Sequence, residues 1–219
     1  MRWRTVLFDF DGTIFDTVEG ITKSAQYALA KHGIHEPLDR LRCFAGPPLA
    51  EKFMEVYGVT QPEAEQLVAE FRERYVPIGV YESSPFSGIK ELLIRLRQAG
   101  LKLGVATSKP QTLAELLLER AEMKDCFDVI VGSAPGPGND QKWQIVQRAL
   151  ALSETAPEAA VLVGDTKYDA IGAARCEVAC LGVAWGYAAP GELEAAGVLG
   201  IAADPAELEG LLTAEALPG

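Results

Sequence analysis

The sequence predicts an α/β fold, a doubly wound parallel sheet with a helical unit inserted near its start. Short apolar runs alternate with helical patterns from Pro85 onward, and this alternation is typical of strand–helix–strand units in a parallel sheet. Between Val18 and Tyr81 the apolar residues instead recur three and four positions apart, without a convincing strand. The helical unit therefore interrupts the sheet after its first strand.

The elements follow one another as runs bounded by turn-forming residues. The first strand is the apolar run Thr5–Phe8. Beyond the helical unit, helices are predicted at 89–99, 111–122, 143–152, 169–175 and from about Pro205, and strands at 101–106, 129–132, 160–164, 180–183 and 200–202. We expect two domains: an α/β core made of residues 1–16 and 83–219, and a helical domain of residues 17–82.

Composition narrows the class of protein. A chain of 219 residues that is 48% hydrophobic can bury one sizeable core and a smaller second unit. Its formal charge of −11 argues against nucleic acid or an anionic membrane as partner. No apolar run approaches the roughly 20 residues that span a bilayer, and no targeting segment is evident, so we expect a cytoplasmic protein. The cysteines lack metal-ligand or disulfide spacing and are interpreted as reduced packing residues: Cys43, Cys126, Cys176 and Cys180.

An acidic segment, Asp9-Phe10-Asp11-Gly12-Thr13, directly follows the first strand. Open α/β sheets bind their ligands at the carboxyl ends of the strands, so this is a candidate active-site position. Gly12 indicates that the chain is already leaving the sheet, which lets both carboxylates face one pocket. Asp-Gly is also common in turns, so an ordinary acidic turn is the alternative interpretation.

Further polar clusters follow later strands. Thr107 and Ser108 are predicted at a helix start, where a hydroxyl and free backbone amides suit a phosphate clamp. Lys142 opens the helix after the glycine- and proline-rich loop 133–140, and Asp165 and Asp169 follow the strand 160–164. Taken singly, these residues can be helix caps or a solvated lysine. Their common position at one sheet edge favours a single site.

The chemistry of this site follows from its charges. Asp9, Asp11 and Asp165 in one pocket would repel by roughly 4 kcal/mol per pair at about 4 Å and an effective dielectric of about 20. A hard divalent cation such as Mg²⁺ relieves this repulsion. Lys142 and the amides near Thr107 would then hold phosphate oxygens, while one carboxylate attacks phosphorus and another protonates the leaving oxygen and later activates water.

Together, in this order and spacing, the clusters resemble the four motifs of the haloacid dehalogenase superfamily: Asp9–Thr13, Thr107, Lys142, and Gly164-Asp165 with Asp169. The resemblance covers nearly the whole chain and implies a Rossmann-like core with an α-helical cap domain. It implies that Asp9 is the nucleophile, forming an aspartyl-phosphate, and that Asp11 is the general acid and base. An acid at Asp11 favours phosphoryl transfer, because the dehalogenase branch lacks one there.

The resemblance also implies the ligand contacts of the core. Mg²⁺ would be bound by Asp9, the backbone carbonyl of Asp11 and Asp165, with Asp169 supporting the site. Phosphate would be bound by Thr107 and Lys142, with Ser108 beside them.

The inserted helical unit is similar to the α-helical cap that closes over the site in this superfamily. The segments Phe44–Leu49 and Gly182–Tyr187 resemble the phosphoglycolate phosphatase-like subgroup, which includes 5′-nucleotidase-like members. Arg42, Gly46 and Pro47 are therefore candidate substrate contacts. Arg42 is the first candidate for binding a second anionic group of the substrate, with Arg40 and Lys52 next, and a solvated charge on a cap helix is the alternative for each.

The function predicted from this reasoning is Mg²⁺-dependent hydrolysis of a small phosphomonoester, phosphoglycolate-like or nucleotide-like. A phosphomutase of the β-phosphoglucomutase type is the alternative, because the choice between water and a sugar as acceptor depends on the cap. A phosphonatase would need a cap lysine that forms an imine, and Lys23, Lys31 and Lys52 are more simply explained as solvated charges. A binding protein without catalysis is disfavoured by the complete set of acidic and basic residues. Nothing in the sequence predicts an oligomeric state.

Overall fold

The computed structural model describes residues 2–134 and 140–214. Most of the glycine- and proline-rich loop 133–140 thus lies outside the described residues. The chain divides into two compact units, one made of 1–14 and 85–219 and the other of Phe15–Ser84.

The first unit contains a six-stranded sheet in the order β5-β4-β1-β6-β7-β8, and a two-stranded sheet joins β2 to β3. The strands, numbered along the chain, are β1 Thr5–Phe8, β2 Phe15–Asp16, β3 Ser84–Pro85, β4 Lys102–Pro110, β5 Val129–Ser133, β6 Ala160–Gly164, β7 Ala179–Val183 and β8 Ile201–Ala202. All pairings in the large sheet are parallel. The predicted α/β class is confirmed.

The strand β1 lies at the point where the strand order reverses. It pairs with β4 on one side, Thr5 opposite Lys102, and with β6 on the other, Thr5 opposite Ala160. The chain then continues outward to β5 in one direction and to β7 and β8 in the other. Such a reversal opens a crevice at the carboxyl ends of the central strands. Asp9 is the first residue after β1 and therefore enters this crevice.

Helices of the first unit flank its sheet and bury apolar faces against it. The helices of both units, numbered along the chain, are α1 Val18–Lys31, α2 Leu49–Tyr57, α3 Gln61–Tyr75, α4 Ile89–Gln98, α5 Gln111–Arg120, α6 Lys142–Ser153, α7 Lys167–Arg175, α8 Glu192–Ala195 and α9 Pro205–Thr213. On one side, Ile145 and Ala149 of α6 and Ala173 of α7 join Leu7 and Leu162 of the sheet in one buried cluster. This packing fixes the start of α6, where Lys142 lies.

The structure differs from the prediction at the end of β4. The predicted strand ended at Ala106, whereas β4 continues to Pro110, with a shift in its register against β5 between these two residues. Thr107 and Ser108 thus lie inside a strand, and the prediction that they stand at a helix start is wrong. The helix α5 begins only at Gln111. The short helix α8 was also not predicted.

The second unit is helical, as the sequence predicts. It consists of α1, α2 and α3 with 3₁₀ turns at Leu38–Phe44 and Gly79–Tyr81. The chain approaches itself closely at Gly20, where an added Cβ would lie 1.9 Å from the carbonyl oxygen of Gly79. Throughout 2–134 and 140–214, no helix combines the length and apolar character that crossing a membrane requires.

Candidate active site

The carboxyl end of β1 places Asp9 and Asp11 at the sheet edge. The backbone N–H of Asp9 still donates to the carbonyl of Val163 at 2.8 Å, as if the strand continued. The chain then turns, with Gly12 at φ 81° and the Ile14 N–H donating to the Phe10 carbonyl at 2.9 Å. A positive φ is accessible to glycine at little cost, so the turn inferred from Gly12 is present.

Three buried carboxylates meet at this edge. One oxygen from each of Asp9, Asp165 and Asp169 lies within 4.8 Å of the others. Asp165 follows β6, and Asp169 occupies the first turn of α7, where its Oδ2 accepts hydrogen bonds from the Thr166 N–H at 3.1 Å and from the Thr166 hydroxyl at 2.9 Å. Thr166 is therefore the N-cap, and Asp169, the third residue of the helix, is its partner in a capping box. Hydrogen bonds to one oxygen leave the other facing the cluster.

Lys142 joins two of these carboxylates. Its Nζ lies 2.7 Å from Asp9 Oδ1 and 2.7 Å from Asp169 Oδ1, and only 8% of its side chain is exposed. Burial lowers the pKa of Lys142, but the charges of Asp169 and Asp9 outweigh it and raise that pKa above its usual value. Gly172 makes room for this lysine, because a Cβ at Gly172 would lie 2.5 Å from Lys142 Cγ. Lys142 thus remains a fixed cation in the cluster.

The cluster holds more negative charge than Lys142 can balance. The pKa of Asp9 is raised from 3.8 to about 6, chiefly by burial and also by the charges of Asp169 and Asp11, against the opposing effect of Lys142. Burial and the charges of Asp169 and Asp9 likewise raise the pKa of Asp165 well above its usual value. Hard oxygen donors that carry excess negative charge suit Mg²⁺. The residues present therefore fit the predicted metal.

This fit predicts a pH-dependent effect of Mg²⁺ on stability. Because the pKa of Asp9 is raised from 3.8 to about 6, the metal-free folded chain binds more protons than the unfolded chain between these two pH values. The free energy of unfolding of the metal-free chain therefore falls as pH rises through this range. Bound Mg²⁺ replaces those protons. We expect the Tm increase caused by Mg²⁺ to grow from about pH 5 to about pH 7 in thermal unfolding. An increase that is the same at every pH would contradict this account.

The segment after β7 holds Asp165 in place. The backbone N–H of Tyr187 donates to Asp165 Oδ2 at 2.8 Å, and the Thr13 hydroxyl donates to Oδ1 at 3.3 Å. An added Cβ at Gly186 would lie 2.2 Å from Asp165 Cβ, so only glycine fits there. The Trp185 indole N–H donates to the Thr13 carbonyl at 3.1 Å. In the sequence, the segment Gly182–Tyr187 indicated only a resemblance to a subgroup. In the structure, its backbone orients the Asp165 carboxylate.

A second buried lysine belongs to the site, and sequence reasoning missed it. Lys109 Nζ lies 2.9 Å from Asp11 Oδ1, with 2% of the lysine side chain exposed. Each of the two predicted catalytic aspartates thus has its own buried lysine, Lys142 for Asp9 and Lys109 for Asp11. No signal in the sequence identified it, because the predicted strand ended at Ala106 and Lys109 belongs to the part of β4 that only the structure shows.

The family follows from comparison with known proteins. The profile of the family described as haloacid dehalogenase-like hydrolase matches residues 6–183. The chain belongs to this family. The predicted family, fold class and hydrolase class are therefore confirmed.

Relatives of this haloacid dehalogenase-like hydrolase carry several activities in their names. A 5′-nucleotidase of Pseudomonas aeruginosa is 41% identical over 196 residues, which cover 89% of each chain. A phosphoglycolate phosphatase of Caulobacter vibrioides is 31% identical over 189 residues, covering 84% of this chain and 80% of the relative. The solved structure of Mycobacterium tuberculosis protein tyrosine kinase A matches with a TM-score of 0.83 at 33% identity, over 96% of this chain and 98% of that one.

The remaining predicted site residues of this hydrolase lie in two places. In the first unit, Thr107 is buried and its Oγ1 accepts the Lys109 N–H at 3.2 Å, while Ser108 is half-buried. In the helical unit, Arg42 is exposed on a 3₁₀ turn, and Gly46, at φ 104°, precedes Pro47. Their contacts with phosphate and substrate stay predictions.

Proposed function

We propose that this haloacid dehalogenase-like hydrolase is a Mg²⁺-dependent phosphatase that hydrolyses a small phosphomonoester through an aspartyl-phosphate on Asp9. The observation that carries the proposal is the pairing at the end of β1, where Asp9 and Asp11 each contact a buried lysine at 2.7 and 2.9 Å. The phosphatase names of relatives that cover most of the chain support the same class.

The metal would be held by Asp9, the backbone carbonyl of Asp11 and Asp165, with Asp169 supporting the site through its contact with Lys142. When bound, Mg²⁺ supplies positive charge to the phosphoryl oxygens and offsets the repulsion among the carboxylates. The support for this assignment is the buried cluster of Asp9, Asp165 and Asp169 oxygens within 4.8 Å.

The reaction itself is assigned to the side chains of the chain. An oxygen of Asp9 attacks phosphorus, and Asp11 protonates the leaving oxygen. Asp11 then accepts a proton from the water that hydrolyses the aspartyl-phosphate. Lys142 already lies at the nucleophile and donates to the phosphoryl oxygens, and the hydroxyls of Thr107 and Ser108 complete the phosphate contacts.

For the substrate we propose a phosphoglycolate-like or nucleotide-like phosphomonoester. The relatives named 5′-nucleotidase and phosphoglycolate phosphatase support this choice. We further propose that residues 17–82 are a cap domain that selects the substrate, while residues 1–16 and 83–219 carry the reaction. Specificity then depends on residues of the cap such as Arg42, Gly46 and Pro47.

Phosphoryl transfer to an acceptor other than water is the second candidate, with the β-phosphoglucomutase type as the predicted example. It is favoured by one observation: a protein named as a tyrosine kinase shares this fold with a TM-score of 0.83. The core residues serve both reactions equally.

The direct test is release of inorganic phosphate by purified protein with Mg²⁺, from 2-phosphoglycolate, nucleoside monophosphates, hexose phosphates and 4-nitrophenyl phosphate. Release into water in proportion to substrate consumed supports hydrolysis. Consumption of a hexose phosphate that yields its isomer without free phosphate supports the mutase. Absence of both reactions across the panel would overturn the proposal.

The Arg42 hypothesis predicts a selective loss. Arg42→Ala should lower kcat/KM for 2-phosphoglycolate by a factor that corresponds to about 1 to 3 kcal/mol of lost transition-state stabilisation, because a charge-assisted hydrogen bond to the carboxylate is lost. Hydrolysis of 4-nitrophenyl phosphate should change little, since the core holds the phosphoryl group. Arg72→Ala is the matched control, because Arg72 is an exposed arginine on α3 of the same helical unit. Equal losses on both substrates would point to a damaged cap domain, and no loss on either would remove Arg42 from the site.

A further inference from the structure

We propose that Lys109 is a positioning residue for Asp11, which fixes the carboxyl group so that one chosen oxygen delivers the proton to the leaving group. The inference rests on the proposed function, in which Asp11 is the general acid and base. It assigns Lys109 a part in the reaction and predicts that substrates with a poor leaving group depend on this lysine.

The contact is short and shielded from solvent. Lys109 Nζ lies 2.9 Å from Asp11 Oδ1, and the two side chains are 2% and 17% exposed. The same ammonium group lies 5.5 Å from the ring centroid of Phe10, a fully buried residue between Asp9 and Asp11. A buried charge is costly unless it is paired, so this lysine is held at the carboxylate rather than free to turn to solvent.

The backbone of Lys109 is fixed as well. It lies where the register between β4 and β5 shifts, and its N–H donates to Thr107 Oγ1 at 3.2 Å. The neighbouring strand comes so close that a Cβ at Gly132 would lie 2.6 Å from the Lys109 carbonyl oxygen. Main-chain contacts on two sides thus set the direction in which the side chain leaves β4. The irregular end of this strand delivers the ammonium group to Asp11.

The chemistry of the pair distinguishes the two oxygens of Asp11. A lysine ammonium group can only donate hydrogen bonds, and a protonated carboxyl group carries one proton on one of its oxygens. With Lys109 donating to Oδ1, the acidic proton is placed on Oδ2. Without Lys109, the proton can lie on either oxygen of Asp11, and the carboxyl group can rotate.

In the first step, a bond forms between an Asp9 oxygen and phosphorus, and the bond from phosphorus to the leaving oxygen breaks. The electron pair of that bond goes to the leaving oxygen, which receives the proton from Asp11 Oδ2. In the second step, water attacks phosphorus, Oδ2 takes a proton from this water, and the bond to Asp9 breaks. Lys109 keeps its protons in both steps and acts only on the position of Asp11.

The importance of this proton depends on the leaving group. An alkoxide is a poor leaving group and requires protonation, whereas 4-nitrophenolate leaves readily without it. General acid catalysis contributes on the order of 100- to 10,000-fold where it is needed. Loss of Lys109 should therefore affect alkyl phosphates much more than 4-nitrophenyl phosphate.

The test compares Lys109→Met with the unchanged chain in saturating Mg²⁺, using 2-phosphoglycolate and 4-nitrophenyl phosphate. We expect kcat/KM for 2-phosphoglycolate to fall by about 10- to 100-fold and kcat/KM for 4-nitrophenyl phosphate to fall by less than about 3-fold. The comparison uses kcat/KM because it reports the first step and excludes hydrolysis of the aspartyl-phosphate, which is common to both substrates. Lys109→Arg should restore part of the loss, because it keeps a cationic donor. Lys124→Met is the matched control, since Lys124 is paired with Glu119 at 2.8 Å but is 36% exposed.

A double variant tests whether Lys109 acts through Asp11. In an Asp11→Asn background, Lys109→Met should cause no further change in the ratio of the two rates. This double variant also removes both charges of the buried pair, so it remains informative if Lys109→Met alone does not fold.

The outcomes separate the two proposals. Equal losses of kcat/KM on both substrates, or no loss on either, would overturn the role of Lys109. A further change in the ratio of the two kcat/KM values in the Asp11→Asn background would do the same. In each case phosphate release by the unchanged chain would still uphold the proposed function. Phosphate release from neither substrate by the unchanged chain would overturn the proposed function, and the role of Lys109 with it.

Discussion

Asp9→Asn should abolish turnover of every phosphomonoester. The amide cannot attack phosphorus, and it offers no negative charge to the metal or to Lys142, whose Nζ lies 2.7 Å from Asp9 Oδ1. The substitution keeps the size of the side chain, so the fold should survive. Phosphate release measured over a long incubation with excess enzyme gives the required sensitivity. Wild-type rates in Asp9→Asn would show that the nucleophile is assigned wrongly.

The companion variant Asp11→Asn separates the roles of the two aspartates. It should lower the rate severely but leave binding of Mg²⁺ largely intact, because the metal contact proposed for Asp11 is its backbone carbonyl. Titration of each variant with Mg²⁺ by calorimetry checks this. Weakened metal binding in both variants would contradict the division of roles.

Removal of Mg²⁺ is the second change with a large expected effect. Activity should disappear after chelation and return when Mg²⁺ is added, because the proposed metal offsets the repulsion among the buried oxygens of Asp9, Asp165 and Asp169, which lie within 4.8 Å of one another. Added Ca²⁺ should inhibit, since it binds the same carboxylates with longer bonds and higher coordination numbers and so displaces the nucleophile.

The measurement is an initial-rate assay on protein treated exhaustively with a chelator and then supplied with one metal at a time. Circular dichroism of the metal-free protein shows that a loss of rate is not a loss of fold. Full activity in the metal-free protein would overturn the metal assignment.

The fold was predictable because the signals of the strands are local. The runs Thr5–Phe8 and Ala160–Gly164 are apolar and end in polar residues, and both strands have the predicted bounds. The sequence could place Asp9, Asp11 and Asp165 near one another because parallel strands have their carboxyl ends on the same side of the sheet, although the carboxylate that joins Asp9 and Asp165 in the cluster is Asp169. Lys142 was found through the order of the motifs, because the bond it makes to Asp9 cannot be read from its own neighbours.

The end of β4 was not predictable, because its extension depends on a distant partner. Thr107-Ser108-Lys109-Pro110 contains no apolar residue and one proline, which suggests a loop. The strand continues because Pro110 pairs with Ser133 of β5. Tertiary pairing therefore overrides local preference.

Two supporting contacts were missed for a related reason. Lys109 and Asp11 are 98 residues apart, and no spacing rule connects them. The donor that orients Asp165 is the backbone N–H of Tyr187, and a backbone group leaves no mark on the residue type. Gly186 and Gly12, neither of which can carry a side chain beside Asp165, are the marks that this close approach leaves in the sequence.

The pairing of β1 also bears on how the protein is made. Thr5 is synthesised well before its partners on the two sides, Lys102 and Ala160. The strand β1 can therefore pair only after both partner strands have been made, whereas the helical unit 15–84 is complete before either of them. Such long-range parallel pairing is slow to form and leaves an apolar strand uncovered during synthesis. The cluster of Asp9, Asp165 and Asp169 therefore cannot assemble until residue 169 has been synthesised.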